Sequence, residues 1–335
     1  MSNKNIIFTS PCVAELIDLD LPVCGDNEVI VKLEVSTISA GTERANLVGD
    51  PNVSPTKSVV FPRQVGYSSS GIICQVGKNV SKLQIGDRVA CSWSKHAQYC
   101  VMKEKNITKL DERISLSDGA LLHIATFPLA AIRKCRLEVG ESAIVMGLGV
   151  LGLVAVELLR ASGAVPIIAV DPNPDKRKLA LSLGADFALD PFENDFAEQV
   201  KAITNGGVKV AIEVTGKGQG LDMVLDCMAR FGRVALLGCT RNSDFTIDYY
   251  KKVHFPGITL VGAHTMARPK FESSDGWWTE KDDIKALIDM LLYKRINISR
   301  LVEATYSPED APEVYTRLAN DPVFPIVQFD WSRLK

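Results

Sequence analysis

The chain is predicted to be an α/β protein, with a doubly wound parallel sheet joined to a β-rich domain. Three observations predict this. Short apolar stretches alternate with helical ones after about residue 120. Short, glycine-punctuated stretches of β character fill the residues before them. The length, 335 residues, is enough for two separate cores.

In the first part, VIVKLEVSTIS (29–39) is β-rich and partly alternating. SGIICQVG (70–77) ends at a glycine, IGDRVAC (85–91) has a Gly-Asp turn before its strand, and HAQYCVM (96–102) alternates again. Strands of this kind suit a compact barrel. The polar stretch 45–58 is expected to be an exposed loop.

The pattern then changes. SAIVMG (142–147) and VPIIAV (165–170) are apolar strands. VLGLVAVELLRASG (150–163) and PDKRKLALSLG (174–184) are helices ending in glycine, the second opening on proline. ADFALD, DFAEQVKAIT, VKVAIEVT, GLDMVLDCMA and RVALLG continue the alternation. Apolar strands separated by helices indicate a parallel sheet covered on both faces. The tail holds a strand in TLVGAHTM, helices at 281–294 and 308–320, and a last strand at 324–331. The expected domains are 1–124, then 125–264, with 265–335 returning to complete the first.

Composition narrows the classes. Hydrophobic residues make up 46% and charged residues 23%, and the net charge of −2 leaves no broad basic surface for nucleic acid. The start lacks a secretory signal pattern, and no apolar run reaches the roughly 18 residues of a membrane span. A cytoplasmic protein is expected. The eight cysteines form no CxxC pair, which argues against a zinc knuckle or a CxxC redox site.

Gly147-Leu148-Gly149-Val150-Leu151-Gly152 reads G-x-G-x-x-G between an apolar strand and a helix. That setting is the Rossmann dinucleotide signature. Gly147 permits the turn, Gly149 lets backbone approach a pyrophosphate, and Gly152 lets helix pack on strand. The helix start offers N–H groups and positive dipole to phosphate. Asp171 ends the next strand, 19 residues after Gly152, where a carboxylate accepts from ribose hydroxyls and repels a 2′-phosphate. NAD is therefore the expected cofactor. Lys176 is within reach of the same ribose, while Arg177 could serve a 2′-phosphate. Thr215, Gly238, Cys239 and Ala263 sit at expected carboxyl ends of strands and are further cofactor candidates. The alternatives are a plain structural turn for the glycines and a helix-capping role for Asp171.

At this point the chain resembles the medium-chain dehydrogenase/reductase family. The resemblance lies in VGKNVSKLQIGDRV (76–89), LEVGESAIVMGLGVLGLVAVELLRASGA (137–164), VDPNPDKRKLALSLGAD (170–186) and EVTG (213–216), and it spans nearly the whole chain. It implies a GroES-like catalytic domain interrupted by the Rossmann domain, a cleft between them for substrate, and a homodimer or homotetramer joined near residues 255–265. Zinc alcohol dehydrogenases of the family carry a cysteine where this chain has Ile38-Ser39-Ala40-Gly41-Thr42-Glu43-Arg44, and Gly-His-Glu where it has Gly66-Tyr67-Ser68. A third ligand would fall near His123. The four-cysteine structural zinc lobe is missing between Val89 and Tyr99. No metal is expected. The GTER and GYS motifs resemble a zinc-lacking branch acting on sugar glycosides and bacteriochlorophyll precursors. The stretch LVGAHTMARPKFESSDGWWTEKDDIKALIDMLL (260–292) resembles its glycoside 3-dehydrogenases.

Without zinc, a side chain must take the alcohol proton. His123 is the expected acid/base and Tyr67 the donor to the alcohol oxygen. Glu43 would orient one of them or bind a substrate hydroxyl, and Thr42 would add a hydroxyl contact. Each has a bland alternative: a core histidine, a packing tyrosine, a surface Glu43–Arg44 pair. His264 is a candidate lining residue of the cofactor cleft, while His96 and His254 have no supporting context. Trp277 and Trp278 offer a stacking face for a sugar, or cover a domain junction. Three functions stay open: a zinc-free NAD-dependent dehydrogenase of a secondary alcohol, such as a sugar or glycoside hydroxyl, a zinc-free enone or quinone reductase using NAD(P)H, and a non-catalytic NAD-binding protein.

Overall fold

A computed structural model describes residues 2–54, 58–243 and 245–334. The chain opens with β1 (Asn3–Ser10), β2 (Val13–Leu19), β3 (Glu28–Thr37), α1 (Ala40–Val48), β4 (Arg63–Gln64), β5 (Ser68–Val76), β6 (Arg88–Ser92), β7 (Tyr99–Lys103), β8 (Ile107–Lys109) and the one-turn α2 (Leu116–Gly119). Then come α3 (Leu122–Lys134), β9 (Ala143–Met146), α4 (Val150–Ala161), β10 (Ile167–Val170), α5 (Pro174–Leu183), β11 (Phe187–Leu189), α6 (Phe196–Thr204), β12 (Val208–Glu213), α7 (Gly218–Asp226), β13 (Met228–Leu236) and β14 (Thr259–Gly262). The tail holds α8 (Glu280–Leu292), β15 (Ala304–Tyr306), α9 (Ala311–Asn320) and β16 (Val327–Asp330).

The chain forms two compact units. One runs to Ile124 and resumes at Ile284; the other is Ala125–Asp283. The return to the first unit, expected at 265, therefore comes at 284. The reason is a buried ion cluster. Asp283 is fully buried, accepts from Arg133 Nε at 2.9 Å and lies 3.6 Å from Arg268. The Arg133 guanidinium also sits 3.5 Å from the Trp278 ring centre. These contacts tie 265–283 to α3 within the second unit.

In that unit the sheet order is β11-β10-β9-β12-β13-β14, with every pair parallel. Numbered from β9, this is the order 3-2-1-4-5-6 of a doubly wound sheet, and it reverses between β9 and β12. All residues of β9 and β10 are buried, because helices cover both faces. Alternation fails on such strands, and continuous apolar runs replace it.

In the first unit β3 is central. It pairs with β5, β7 and the returning β16, all antiparallel. A separate three-stranded sheet runs β2-β1-β4. β1 and β2, which lie before the first stretch singled out in the sequence, pair from Asn3↔Leu19 to Ser10↔Val13. Ile6, Phe8, Val31, Leu33, Leu47, Tyr315 and Phe329 share one core. The expected loop at 45–58 is also corrected in part, since Ala45–Val48 complete α1 and bury Ala45 and Leu47. The helical face was hidden in the sequence because its third buried member is charged Glu43. Residues 55–57 of that stretch lie outside the described residues.

Glu43 survives in this core because donors surround it. Oε1 accepts from Ser39 N at 2.9 Å. Oε2 accepts from Tyr315 Oη at 2.5 Å and meets His96 Nε2 at 3.1 Å. Trp331 Nε1 donates to Ser36 Oγ, which contacts His96 Nδ1, each at 2.8 Å. Burial and the Glu43 charge push the Tyr315 phenol well above its usual range, so it remains a donor. Removing the carboxylate leaves the imidazole and phenol without their acceptor. Glu43→Ala is expected to cost about 3–5 kcal/mol and Tyr315→Phe about 1–3 kcal/mol, read from urea denaturation midpoints. An unchanged midpoint for Glu43→Ala would show that this network does not hold the core.

Candidate active site and cofactor loop

The glycine loop lies at the point where the strand order reverses. Gly147, at the end of β9, has a φ of +98°. A Cβ on Gly152 would stand 1.9 Å from the Gly147 carbonyl oxygen, so only glycine lets α4 start so close to the strand. Gly149 differs, because a Cβ there would meet no atom within 4 Å. Nothing in the described chain fills the space beside Gly149, the helix N-cap, which fits close approach of a pyrophosphate to the backbone. Val150 and Leu151 form the first turn of α4.

Asp171 accepts from Leu148 N through Oδ2 and from Asn173 N through Oδ1, each at 2.9 Å. It thereby joins the glycine loop to the turn after β10. The helix-capping role falls to Asn173, whose side chain accepts from Asp175 N and Lys176 N. Arg177 is engaged, donating to the Asp171 carbonyl at 2.7 Å and to Asp190 at 2.9 Å.

Thr215, Gly238 and Cys239 come together with the glycine loop. A Cβ on Gly147 would lie 3.0 Å from Thr215 Cγ2, and one on Gly238 would lie 2.2 Å from Gly216 N. Gly216 in turn abuts the Cys239 carbonyl. Glu213 sets this loop by accepting from the backbone and hydroxyl of Thr215 and from Gly216 N. Burial raises the Glu213 carboxyl above its usual range. Ala263, buried at the end of β14, donates its N–H to Leu236 O. The loop residues fit a dinucleotide.

In the first unit, Tyr67 and His123 are brought together, and Trp93 joins them. The His123 ring lies edge-on to Trp93 with centres 4.6 Å apart, and to Tyr67 at 5.6 Å. Thr37 and Ser68 both donate to the Ala120 carbonyl, fixing the approach to His123. Gly66, with φ +89°, lets the chain pass His96, which a Cβ would meet at 2.7 Å. Tyr67 O then accepts from Trp93 N at 2.7 Å. Sequence reasoning missed Trp93. Its signals were an aromatic beside serines and a φ of +64°, rare for a bulky side chain, and only the first is visible in a sequence.

Other candidates separate from this cluster. Glu43 is buried with His96, Tyr315 and Ser39 N rather than turned to Tyr67 or His123, so its expected orienting role is corrected. Its charge seeks donors in the core, and His96, which had no supporting context, is one of them. Thr42 is half-buried on α1, and its carbonyl accepts from Asn46 at 2.7 Å. Tyr67 Oη is hydrogen bonded to Ser39 Oγ, a residue given no role beforehand. Trp278 is covered by Arg133, whereas Trp277 remains exposed with Lys134 4.9 Å from its ring centre, so the two rings do not form one open stacking face. His264 Nδ1 accepts from Met266 N, and burial followed by the Lys134 and Arg241 charges lowers its basicity.

Among the described residues, no three His, Cys, Asp or Glu side chains are grouped to hold a metal ion. A stable catalytic zinc usually has three protein ligands. The donor set at His123 therefore does not fit zinc. No helix of the described residues is long and apolar enough to cross a membrane.

Comparison with known proteins agrees with this fold. Residues 25–135 match the alcohol dehydrogenase GroES-like domain and residues 150–280 match the zinc-binding dehydrogenase family. The chain is 30% identical over 292 residues to an L-threonine 3-dehydrogenase of Thermococcus kodakarensis, covering 77% of this chain and 81% of that one. It is 23% identical over 334 residues to a D-guloside 3-dehydrogenase of Escherichia coli, covering 93% and 95%. The crystal structure of 2R,3R-butanediol dehydrogenase from Bacillus subtilis superposes with a TM-score of 0.83 at 22% identity, covering 98% and 99%. Solved structures of this fold have been obtained with NADP and with NADH. The glycine loop, the strand order and these matches agree: the chain belongs to the zinc-type, alcohol dehydrogenase-like branch of the medium-chain dehydrogenase/reductase family, as an oxidoreductase with a nicotinamide cofactor.

Proposed function

We propose that the chain is an NAD-dependent dehydrogenase of a secondary alcohol on a sugar or glycoside, working without catalytic zinc. The observation that carries this reading is the packing of Trp93 on Tyr67 and His123, two residues that the family resemblance puts where zinc enzymes keep ligands. Bound NAD supplies the hydride acceptor. His123 takes the alcohol proton, the acid/base role that histidine fills most often. Tyr67 donates to the substrate oxygen, an interaction that strengthens as charge grows there. The indole of Trp93 is 38% exposed beside His123, an aromatic face suited to the C–H side of a sugar ring. The guloside relative, aligned over 93% of the chain, supports the same substrate class. A screen of sugars, glycosides and polyols with NAD⁺, followed by NADH absorbance, is expected to find turnover that survives chelation. His123→Ala is expected to lower kcat by about 100-fold or more. Turnover lost with a stoichiometric metal would overturn the zinc-free mechanism, and turnover of enones alone would make the protein a reductase.

The cofactor is held by Gly147, Gly149, Val150, Leu151 and Gly152 at the pyrophosphate, by Asp171 and Lys176 at the ribose, and by Thr215, Gly238, Cys239 and Ala263 along the strand ends. Asp171 favours NAD over NADP, because each of its oxygens retains acceptor capacity and its charge repels a 2′-phosphate. Arg177 does not counter this, being bound to Asp190. Asp171→Ala is expected to weaken NAD binding by about 10- to 100-fold and to narrow the NAD/NADP ratio, both read by quenching of protein fluorescence. An unchanged ratio would remove Asp171 from the ribose site.

We further infer a cytoplasmic homodimer or homotetramer. β14 is an edge strand, and among the described residues no further strand pairs with it, which makes it a template for a second copy. Sedimentation equilibrium is expected to give two or four chains, and a monomer at micromolar concentration would overturn the assignment.

A further inference from the structure

Ser39 stands at the N-cap of α1 but does not cap it. Serine is favoured there because its hydroxyl accepts from an N–H of the first turn. Ser39 Oγ makes no such bond. The end of the helix is tied differently: Glu43, one turn in, reaches back to Ser39 N through Oε1 at 2.9 Å, and Glu43 N donates to Ser39 O at 2.9 Å. The hydroxyl is thereby released, and it is turned to Tyr67 Oη, 28 residues away along the chain. Ser39 is only 5% exposed and Tyr67 is half-buried, so this contact is not a surface encounter. Its backbone is held from beneath by the Glu43 carboxylate, which Tyr315 and His96 fix in turn.

We propose that Ser39 is the positioning residue of Tyr67, an inference that rests on the alcohol–ketone reading of the Tyr67 site. Each hydroxyl has one proton. When Tyr67 donates to a substrate oxygen, its own oxygen needs a donor, and Ser39 Oγ is the hydroxyl already in contact with it. The Ser39 proton then points to Tyr67 and the Tyr67 proton to the substrate. No proton is gained or lost by the pair, and the alcohol proton goes to His123. Hydrogen bonds in series polarise one another, so the phenol becomes the stronger donor while carbonyl charge develops. Without substrate the pair reverses, and Tyr67 donates to Ser39.

The test does not need a substrate. A donor to the Tyr67 oxygen stabilises its phenolate and lowers the pH at which it ionises. Tyrosinate absorbance is titrated in the wild-type chain and in Ser39→Ala, each referenced to the same protein carrying Tyr67→Phe, which removes the contribution of the other tyrosines. Ser39→Ala is expected to move the Tyr67 midpoint up by about one pH unit, and Ser39→Thr to restore it. Melting is expected to stay within about 2 °C, because the hydroxyl caps nothing. Should Ser39→Ala fail to fold, Ser39→Gly, which also removes the hydroxyl and is tolerated at a helix N-cap, is titrated in its place and is expected to give the same upward move. An unmoved midpoint, or a lowered melting temperature with the midpoint unmoved, makes Ser39 purely structural and overturns the proposal. On any alcohol found to turn over, Ser39→Ala is expected to lower kcat about tenfold or more with the KM for NAD⁺ unchanged. If no alcohol is turned over, the dehydrogenase reading fails while the titration still decides the Ser39–Tyr67 contact.

Discussion

A buried carboxylate must find donors or lose its charge, and this constraint organises both units. Taking a carboxylate out of water is costly unless hydrogen bonds replace the lost solvent. In the first unit Glu43 collects Ser39 N, His96 and Tyr315, drawing α1, the segment before β7, and α9 onto one point. In the second, Glu213 shapes the turn after β12, and Asp283 holds two arginines. Burial raises both of these carboxyls above their usual range, and the donors oppose that rise. Asp171 applies the same rule at the cofactor loop, where its carboxylate takes the N–H of Leu148. The acids thus serve as nodes that position backbone, and the proposed chemistry sits one or two bonds away from them.

The parts of the molecule that were legible in the sequence are the local ones. The glycine loop and Asp171 could be read because a strand, a turn and a helix start are encoded within about 25 residues. The strands of the parallel sheet were readable as apolar runs for the same reason. Glu43 was legible as a residue but not as a contact, since its partner Tyr315 lies 272 positions away. A charged residue on an otherwise apolar helical face also disguised α1 as loop. The division between the units was misjudged because Asp283 and Trp278 look like an acidic helix start and a surface aromatic until Arg133 is placed beside them.

The proposed active site shows the same boundary. Tyr67 and His123 could be named from motif positions, because family spacing carries them. Trp93 could not, since its place depends on a left-handed backbone and on a hydrogen bond to Tyr67 O. Nor could the tryptophan pair at 277–278 be read correctly. An exposed tryptophan such as Trp277 and one covered by an arginine such as Trp278 look alike in a sequence, and only packing separates them.

The long reach between Glu43 and Tyr315 bears on how the protein is made. Synthesis proceeds from the N-terminus at about 5–20 residues per second, so Tyr315 emerges roughly fifteen seconds to a minute after the Glu43 it must pair, given their separation of 272 residues. Trp331, which completes the link to His96 through Ser36, emerges later still. Every residue of the second unit, ending at Asp283, leaves the ribosome before either. The nucleotide-binding half can therefore close on its own contacts while the other half waits with an unsatisfied acid, and the earliest segment of the chain is among the last to become native.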